Sequence, residues 1–315
     1  MNGVLCAGSI VYDTIVRAFT KPAWGTTEFV DSIEYRVGGN AANTSRALGI
    51  LGTPVRLLGT LGADTPSIFI RKQLADAGVE ITFLCESQFP TAATVVLVNE
   101  NGDRQFLHRK GASEEAFCGA IDFNASLCEG MQHFHLASLF VIPHLRSGGP
   151  VILQHARAKG LTTSFDTNWD PQGEWLKALQ PCLPYLDFLF MNEDEARMVA
   201  GTDDPDVIGA AMLTYGVRTV VLKLGGAGCA IYTEQETVRC PAYDVIAKDT
   251  TGAGDCFVAG FLDAYLRGED FRASGQFANA VAALSVQQIG AVEGIRRRDA
   301  VAEWAHHAPV REAKR

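Results

Sequence analysis

The sequence predicts an α/β fold in which a mostly parallel sheet is covered by helices. Short apolar runs alternate with helical patterns along most of the chain, which is typical of strands joined by crossover helices. Two segments interrupt this alternation and have the character of antiparallel strands. With 315 residues, 47% apolar and 20% charged, the chain is long enough for one large domain or two modest ones with well-buried cores.

The alternation defines the elements in chain order. The predicted strands are Val4–Val11, Val55–Leu61, Met131–Ala137, Leu161–Asp166, Phe188–Met191, Thr219–Leu224 and Cys229–Thr233. The predicted helices are Asn40–Leu51, Ser67–Ala77, Leu145–Ala158, one from Glu193, Val207–Tyr215, Asp255–Arg267 and Arg272–Gln288. Ligands of such sheets bind outside the carboxyl ends of the strands, so the residues that follow the strands are candidates for a site.

The two interruptions are Thr26–Val37 and Thr91–Phe106. The second contains the period-two segment Val95–Val98 and the turn Asn101–Asp103, which predict antiparallel strands. We expect strands from these two parts of the chain to pair into a small accessory sheet. Because both segments lie beside candidate site residues, we interpret this sheet as a lid over the carboxyl edge of the main sheet.

Charge and cysteine usage exclude several functions. The net charge of −9 and the pI near 5.3 argue against a nucleic-acid surface, and the short basic run Arg296–Arg298 is interpreted as a solvated helix start. No stretch approaches the roughly twenty apolar residues of a membrane span. Eight cysteines without Cys-x-x-Cys pairs favour reduced thiols and a cytoplasmic protein. His133 and His135 lack metal-like partners and are interpreted as core or half-buried residues.

The segment Asp249–Asp255, with the sequence DTTGAGD, is the most informative part of the chain. Gly252, Ala253 and Gly254 let backbone N–H groups point into one hollow, which suits a phosphate at a helix start. Asp255 beside that hollow suits a base that acts on the attacking group. The alternative is a tight strand-to-helix turn with an acid favoured by the helix dipole. In either case the helix start is expected to keep the pKa of Asp255 low.

Polar side chains follow several predicted strands, and Asp and Asn bind hydroxyl groups well. The candidates are Asp13, Gly38–Asn40, Asn43, Asp166, Asn168, Asn192 and Glu195. Each also has a structural explanation as a turn or helix cap. For Asn192 and Glu195 the spacing is that of a capping box, and the functional alternative turns Glu195 toward a metal-bound phosphate. No P-loop is present, and Leu224–Gly228 lacks the third glycine of a dinucleotide fingerprint.

Two longer motifs resemble the signatures of one family. Gly38–Asn43, continuing through Ala47–Gly49 and Leu58–Asp64, resembles the N-terminal signature of the ribokinase-like (PfkB) carbohydrate kinases. Asp249–Asp255 resembles their C-terminal signature. The resemblance extends over nearly the whole chain through Asn192-x-x-Glu195, Lys223–Gly225 and Gly290–Ala291.

The resemblance implies a ribokinase-like three-layer α/β/α sandwich with a mostly parallel central sheet and a small β-sheet lid. A single domain would span residues 1–305, with lid strands inserted at about 14–37 and 91–110, and residues 306–315 would form a polar tail. The exposed edges of the lid strands favour a homodimer through the lid.

The resemblance also implies an ATP-dependent kinase that phosphorylates a hydroxyl of a small carbohydrate. Asp255 would be the base and Gly252, Ala253 and Gly254 the anion hole. The sugar-binding residues would be Asp13, Gly39, Asn40 and Asn43, and the nucleotide-binding residues Asn192, Glu195, Lys223, Gly225, Gly228 and Asn279. Glu195 would position Mg²⁺ through water, and carbonyl or side-chain oxygens of Asp249 and Thr251 would hold a monovalent cation such as K⁺.

The sugar stays open among ribose-, fructose- and keto-sugar-like molecules. Asn40 and Ala41 stand where ribokinases have Lys and Gly, whereas Asp103–His108 and Asp166–Pro171 are closer to fructokinases and other ketose kinases. Asp170 in the latter segment would repel the carboxylate of a sugar acid.

Two further alternatives stay open. A nucleoside kinase would share both signatures, and it would use lid aromatics to stack on a base: Trp24, Phe29, Tyr35 and Phe106. These rings could equally pack within the lid. The other alternative is a non-catalytic sugar-sensing protein, against which Asp255 and Glu195 argue.

Overall fold

A computed structural model describes residues 2–17, 24–25, 27–99, 101 and 103–311 of the chain. The strands are β1 (Gly3–Ala7), β2 (Val11–Arg17), β3 (Ser32–Gly38), β4 (Val55–Leu58), β5 (Thr60–Gly62), β6 (Val79–Glu80), β7 (Cys85–Ser87), β8 (Ala93–Val98), β9 (Arg104–Arg109), β10 (Met131–Ala137), β11 (Thr162–Asp166), β12 (Phe188–Asn192), β13 (Thr219–Lys223), β14 (Cys229–Tyr232) and β15 (Thr237–Cys240). The helices are α1 (Asn40–Leu51), α2 (Thr65–Asp76), α3 (Ala125–Cys128), α4 (Pro143–Ala158), α5 (Leu176–Leu179), α6 (Glu193–Ala200), α7 (Pro205–Thr214), α8 (Ala253–Leu266), α9 (Phe271–Ser285) and α10 (Arg298–His307).

Nine strands form the central sheet, in the order β15-β14-β13-β12-β11-β10-β1-β4-β6. The seven strands from β6 to β13 in that order pair in parallel, and β14 and β15 are added antiparallel. The prediction of a mostly parallel sheet is confirmed. Because parallel strands end at one edge, β11, β12 and β13 bring Asp166, Asn192 and Lys223 to the same side of the molecule.

Side chains on the strands alternate between two cores, one on each face of the sheet. On β12, Phe188 and Phe190 belong to the core that includes residues of α1, α2, α8, α9 and α10. Leu189 and Met191 belong to the core that includes residues of α3 to α7. Both faces of the sheet are therefore covered, which makes its strands apolar along their length and produces the predicted three layers.

The two segments that break the alternation contribute to a separate four-stranded sheet, in the order β3-β2-β8-β9. The small lid sheet is thereby confirmed, although residues 18–23 and 26 of the predicted insert and residue 102 of the predicted turn lie outside the described residues. Two predicted strands were wrong in extent. Val55–Leu61 is divided into β4 of the central sheet and β5, which pairs with β7 in a separate two-stranded sheet. Val4–Val11 is not a single strand, because the chain turns after β1 and continues as lid strand β2.

The C-terminal region has more structure than a polar tail. Helix α10 runs to His307, and Val310 pairs with Tyr243 in an isolated bridge. The interpretation of the basic run as solvated was wrong for Arg298, which forms an ion pair with the buried Asp263 of α8. A buried carboxylate needs such a partner to offset its lost hydration. Within the described ranges, no helix is both long enough and apolar enough to cross a membrane.

Candidate active site

Helix α8 begins at the carboxyl edge of the sheet with a turn that only glycine fits. Gly252 precedes the helix with φ of 69°, and a Cβ there would lie 2.6 Å from Cβ of Ala291. The first N–H groups of a helix have no acceptor within it and lie at the positive end of its dipole. The N–H of Ala253 donates to the carbonyl oxygen of Thr250 at 3.2 Å, so the hollow at Gly252–Gly254 offers an anion the N–H groups of Gly252 and Gly254.

Asp255, on the first turn of α8, is held by two amides from α1. Nδ2 of Asn40 donates to Oδ1 at 3.1 Å, and Nδ2 of Asn43 donates to Oδ2 at 2.9 Å. Burial raises the pKa of Asp255 to about 6, although Asn43, Lys223 and Asn40 favour the charged form. The expectation of a low pKa was wrong, because the desolvation of a carboxyl that is only 5% exposed outweighs the helix dipole.

The start of α1 fixes the orientation of Asn40. Gly39 has φ of 93°, and a Cβ there would lie 2.4 Å from the carbonyl oxygen of Ser9. The Ser9 hydroxyl accepts the backbone N–H of Asn40 at 3.1 Å and lies 2.7 Å from the Ser138 hydroxyl, which donates to Oδ1 of Asn40 at 3.3 Å. No sequence pattern marks either serine as a site residue. Only the positions of Ser9 after β1 and Ser138 after β10 signal a role.

Asp13 lies within lid strand β2, so its predicted place after the first strand of the main sheet was wrong. Its carboxylate packs against Gly38, where a Cβ would lie 2.0 Å from Oδ2. Burial raises the pKa of Asp13 to about 6, and a hydrogen bond from Thr94 only partly opposes this. In the described part of the chain the buried Oδ1 of Asn43 has no hydrogen-bond partner.

Lys223, at the end of β13, places an ammonium beside the anion hole. Its Nζ donates to Asp166 Oδ1 at 2.5 Å and would lie 3.1 Å from a Cβ on Gly254. Burial lowers the pKa of Lys223, but the carboxylates of Asp166, Glu195 and Asp255 outweigh burial and raise it above its usual value. Burial raises the pKa of Asp166, against the attraction of Lys223. The ammonium of Lys223 therefore lies beside Gly254, whereas the sequence assigned Lys223 only to nucleotide binding.

Asn192 and Glu195 form the capping box that their spacing predicts. The backbone N–H of Glu195 donates to Asn192 Oδ1 at 2.8 Å, and that of Asn192 donates to Glu195 Oε2 at 3.1 Å. Thr167, which the sequence did not single out, donates to the same Oε2 at 2.6 Å. Because the described partners all use Oε2, Oε1 suits a water of hydrated Mg²⁺. No group of three or more His, Cys, Asp or Glu among the described residues could hold a metal ion.

A cavity of about 360 Å³ adjoins the anion hole. Its apolar lining includes Phe257 and Val286, and a cavity of this size and character suits the base and ribose of a nucleotide. Nδ2 of Asn279 donates to the carbonyl oxygens of Cys240 and Pro241, so this amide holds the loop after β15. The predicted nucleotide-binding residues on the cavity wall are Asn192, Lys223, Gly225, Gly228 and Asn279. Glu195 lies behind Asn192 rather than on this wall.

Asp249 and Thr251, predicted to hold a monovalent cation, are engaged by an arginine of the lid. Nη2 of Arg104 donates to Asp249 Oδ1 at 2.9 Å, and Nη1 donates to Thr251 Oγ1 at 2.7 Å. The guanidinium directs N–H groups at the oxygens that a metal ion would need as ligands. This arrangement does not fit K⁺ at these two side chains. In the sequence, Arg104 stands out only as part of Asp103–His108, because a strand pattern does not reveal contacts across the site.

Asp170 and His133 are held by neighbours in the fold, whereas within the described residues His135 is hydrogen-bonded through Nδ1 alone. Arg146 donates to both carboxylate oxygens of Asp170, at 2.8 and 3.1 Å. The negative charge of Asp170 is therefore balanced by Arg146, so Asp170 gives no reason to expect repulsion of a sugar acid. His133 and His135 are buried, and each has a ring nitrogen 2.7 Å from Oγ of Ser164.

The chain matches known proteins over nearly its whole length. The pfkB family carbohydrate kinase pattern matches residues 1–298. The ATP-dependent ribose-1-phosphate kinase of Halopiger xanaduensis is 29% identical over 296 residues, covering 92% of this chain and 94% of that protein.

Two solved structures confirm the ribokinase-like fold. The Arabidopsis thaliana ribokinase, complexed with ribose and ATP, is 26% identical with a TM-score of 0.85 and covers 97% of this chain and 99% of its own. An Escherichia coli protein in complex with ATP and Mg²⁺ has a TM-score of 0.85 at 24% identity, with coverage of 97% and 99%.

Proposed function

The chain belongs to the pfkB family and is an ATP-dependent carbohydrate kinase, and we propose that it transfers the γ-phosphoryl group of ATP to a hydroxyl of a small ribose-, fructose- or keto-sugar-like molecule. In this proposal Asp255 is the base and Gly252–Gly254 is the anion hole. The sugar is bound by Asp13, Gly39, Asn40 and Asn43.

One juxtaposition carries the proposal, because consecutive residues of α8 belong to two different parts of the site. Gly254 lines the cavity that suits a nucleotide. Asp255 accepts hydrogen bonds from Asn40 and Asn43 on the other side. A phosphate in the cavity and a hydroxyl beside the two amides would therefore meet at the anion hole, as an in-line transfer requires.

The proposed mechanism follows from these positions. The N–H groups of Gly252 and Gly254 and the ammonium of Lys223 stabilise the negative charge that develops on the transferring group. Asp255, with a pKa of about 6, is ionised at neutral pH and accepts the hydroxyl proton as the new bond forms. Asn40 and Asn43 keep both of its oxygens in place. Glu195 would hold hydrated Mg²⁺ through a water, and the ion would supply positive charge at the phosphates of ATP.

A sugar suits the acceptor side because neutral amides and carboxylates lie there, and both form hydrogen bonds with hydroxyl groups. Asn40 and Asn43 donate to Asp255, whose carboxylate can accept a hydrogen bond from a hydroxyl. The carboxylate of Asp13 can accept two hydrogen bonds from vicinal hydroxyls. This set binds hydroxyl groups through directional hydrogen bonds without requiring a charged substrate.

A nucleoside is the second candidate, and one aromatic of the lid favours it. Phe106 is 60% exposed and, by strand alternation, lies on the same face of β9 as Arg104, which contacts the site. A base could stack on that ring. Tyr35, by contrast, stacks on Tyr12 within the lid, with ring centroids 5.6 Å apart.

The lid also supports a homodimer as part of the proposal. Ile33, Tyr35 and Leu107 lie on the lid face opposite Arg104 and are 55%, 50% and 54% exposed. Apolar side chains grouped on one sheet face favour burial against a second copy.

We also propose that residues 1–305 form one domain. The eight cysteines are free thiols in the structure, and on this basis we propose that the protein works in the cytoplasm.

A screen of acceptors tests the proposal. ADP release would be measured with Mg²⁺ and ATP against aldoses, ketoses, keto-sugar acids, sugar phosphates and nucleosides, with Asp255→Asn as the blank. We expect ADP release that depends on one class of sugar. Release with nucleosides alone would favour the second candidate. If no acceptor stimulates ADP release, the proposed transfer to a sugar-like hydroxyl is overturned.

A further inference from the structure

The lid contributes a positive charge to the loop that precedes the anion hole. Arg104 begins strand β9, and its guanidinium donates through two different nitrogens, to Asp249 at 2.9 Å and to Thr251 at 2.7 Å. The two acceptors belong to one short loop, and Thr251 immediately precedes Gly252. A contact between residues 147 positions apart thus joins the lid to the turn that holds the phosphate.

Asp249 connects three segments around that turn. Its Oδ1 accepts the backbone N–H and the hydroxyl of Thr251, and its Oδ2 accepts the backbone N–H of Gly290. Burial alone would raise the pKa of Asp249, but these bonds and Arg104 lower it to about 2. The carboxylate is therefore ionised at neutral pH. Because it is only 5% exposed, it needs a cation beside it.

The guanidinium supplies that cation in a form that fits both acceptors. Arg carries a permanent positive charge on a planar group whose N–H donors match two oxygens at once. A monovalent metal ion bound through these two side chains would share Asp249 Oδ1 and Thr251 Oγ1 with the guanidinium. Both oxygens already face N–H groups, and a second positive charge at this distance from the guanidinium would be repelled.

We propose that Arg104 takes the role of an activating monovalent cation in this chain, so that the lid itself completes the anion-hole loop and catalysis requires no K⁺. This inference rests on the proposed kinase function. It assigns Arg104 as a positioning residue, since it acts on the phosphate site through Asp249 and Thr251. It also links lid position to the shape of the anion hole, because both contacts are made by a lid strand.

The test compares the wild type with Arg104→Ala, Arg104→Lys and the control Arg109→Ala. Arg109 lies on the same strand, and its guanidinium donates to the carbonyl oxygen of Thr91 instead of the Asp249 loop. ADP release with a sugar substrate would be measured in KCl, NaCl and choline chloride at about 0.1 M, which keeps ionic screening equal. Thermal melts in the same three salts provide a readout that does not depend on activity.

The wild type and Arg109→Ala should show the same turnover and the same melting temperature in K⁺ and in choline. Arg104→Ala should lose about tenfold to a hundredfold in turnover in choline, the effect expected for one charge-assisted contact. K⁺ should restore part of this loss and raise the melting temperature of that variant alone. Arg104→Lys should keep more activity than Arg104→Ala and respond less to K⁺.

Three results would overturn the inference: a wild type activated by K⁺, an Arg104→Ala variant that K⁺ neither activates nor stabilises, or an Arg109→Ala variant that responds in the same way. Failure of the kinase function itself is distinguishable. In that case no acceptor stimulates ADP release in any salt, while the melting temperatures still report whether K⁺ binds when Arg104 is removed.

Discussion

Helices α6 and α8 begin at the same edge of the sheet with an acid at the same position, yet they use it differently. In α6, Asn192 and Glu195 close a capping box, so the helix start satisfies itself. In α8, Gly252 provides no side-chain cap, and Asp255 is held by Asn40 and Asn43 of a helix more than 200 positions earlier. A closed start stabilises its own helix, whereas an open start leaves N–H groups for a ligand.

The largest effect should come from removing the acid of the open start. Asp255→Asn keeps the size of the side chain but removes the base, so we expect turnover to fall by roughly three orders of magnitude. Sugar affinity, measured by calorimetry, should stay near the wild-type value. Asp194→Asn is the matched control, because Asp194 lies in the first turn of α6 with its side chain 69% exposed. Near-normal turnover of Asp255→Asn would remove it from the mechanism.

A side chain at the glycine of the open start should have the next largest effect. Gly252→Ala introduces strain of about 1–2 kcal/mol at positive φ and also displaces Ala291, so turnover should fall by about tenfold or more. Gly268→Ala separates the two causes, since Gly268 has φ of 86° with nothing within 4 Å of its Cβ position. It should lower the melting temperature and spare turnover. Equal kinetics in the two variants would contradict the assigned anion hole.

The closed start should respond in both stability and metal dependence. Glu195→Gln keeps an oxygen for the capping box but removes the charge at the helix start, so it should lower stability by at most about 1 kcal/mol, and we also expect it to raise the Mg²⁺ concentration needed for half-maximal activity. Asp270→Ala, which removes the cap of α9, is the control for stability alone. A Mg²⁺ titration beside a thermal melt compares them. If Glu195→Gln changes only the melting temperature, Glu195 is a cap and nothing more.

The smallest effect concerns pH. Asp255 must be ionised to accept a proton, so turnover should decline as the pH falls through about 6. Asn43→Ala removes a donor that favours the charged form, so it should move this decline to higher pH by about one unit. Asn124→Ala, at the cap of α3, should not move it. The pKa of Asp13 is also about 6, so its titration overlaps that of Asp255. A change in the midpoint of the pH profile in Asp255→Glu would assign the midpoint to Asp255.

Much of the fold was predictable because apolar periodicity reflects burial directly. The strands Met131–Ala137 and Thr219–Lys223 and the helix Asn40–Leu51 lie within a residue of their predicted ends. The error at Val4–Val11 has a physical reason, since β1 and lid strand β2 are both apolar and only a three-residue turn separates them. Period alone cannot assign two adjoining strands to two different sheets.

The candidate site divides in the same way. Positive-φ turns at Gly39 and Gly252 and the capping box of α6 depend on neighbours in the chain, so motif and spacing revealed them. Ser9, Ser138 and Thr167 were missed because a single hydroxyl after a strand has no pattern of its own.

The sequence by itself determined the layered α/β architecture, the lid segments and the Gly-rich start of α8, because each depends on local conformation or periodic burial. Only the tertiary structure decided the electrostatics. It brought Asn40 and Asn43 onto Asp255, and desolvation there reversed the expected direction of the pKa. It also placed Arg104 on Asp249, where a metal ion was expected. Desolvation and charge pairing depend on distance in space, which residue spacing along a chain does not specify.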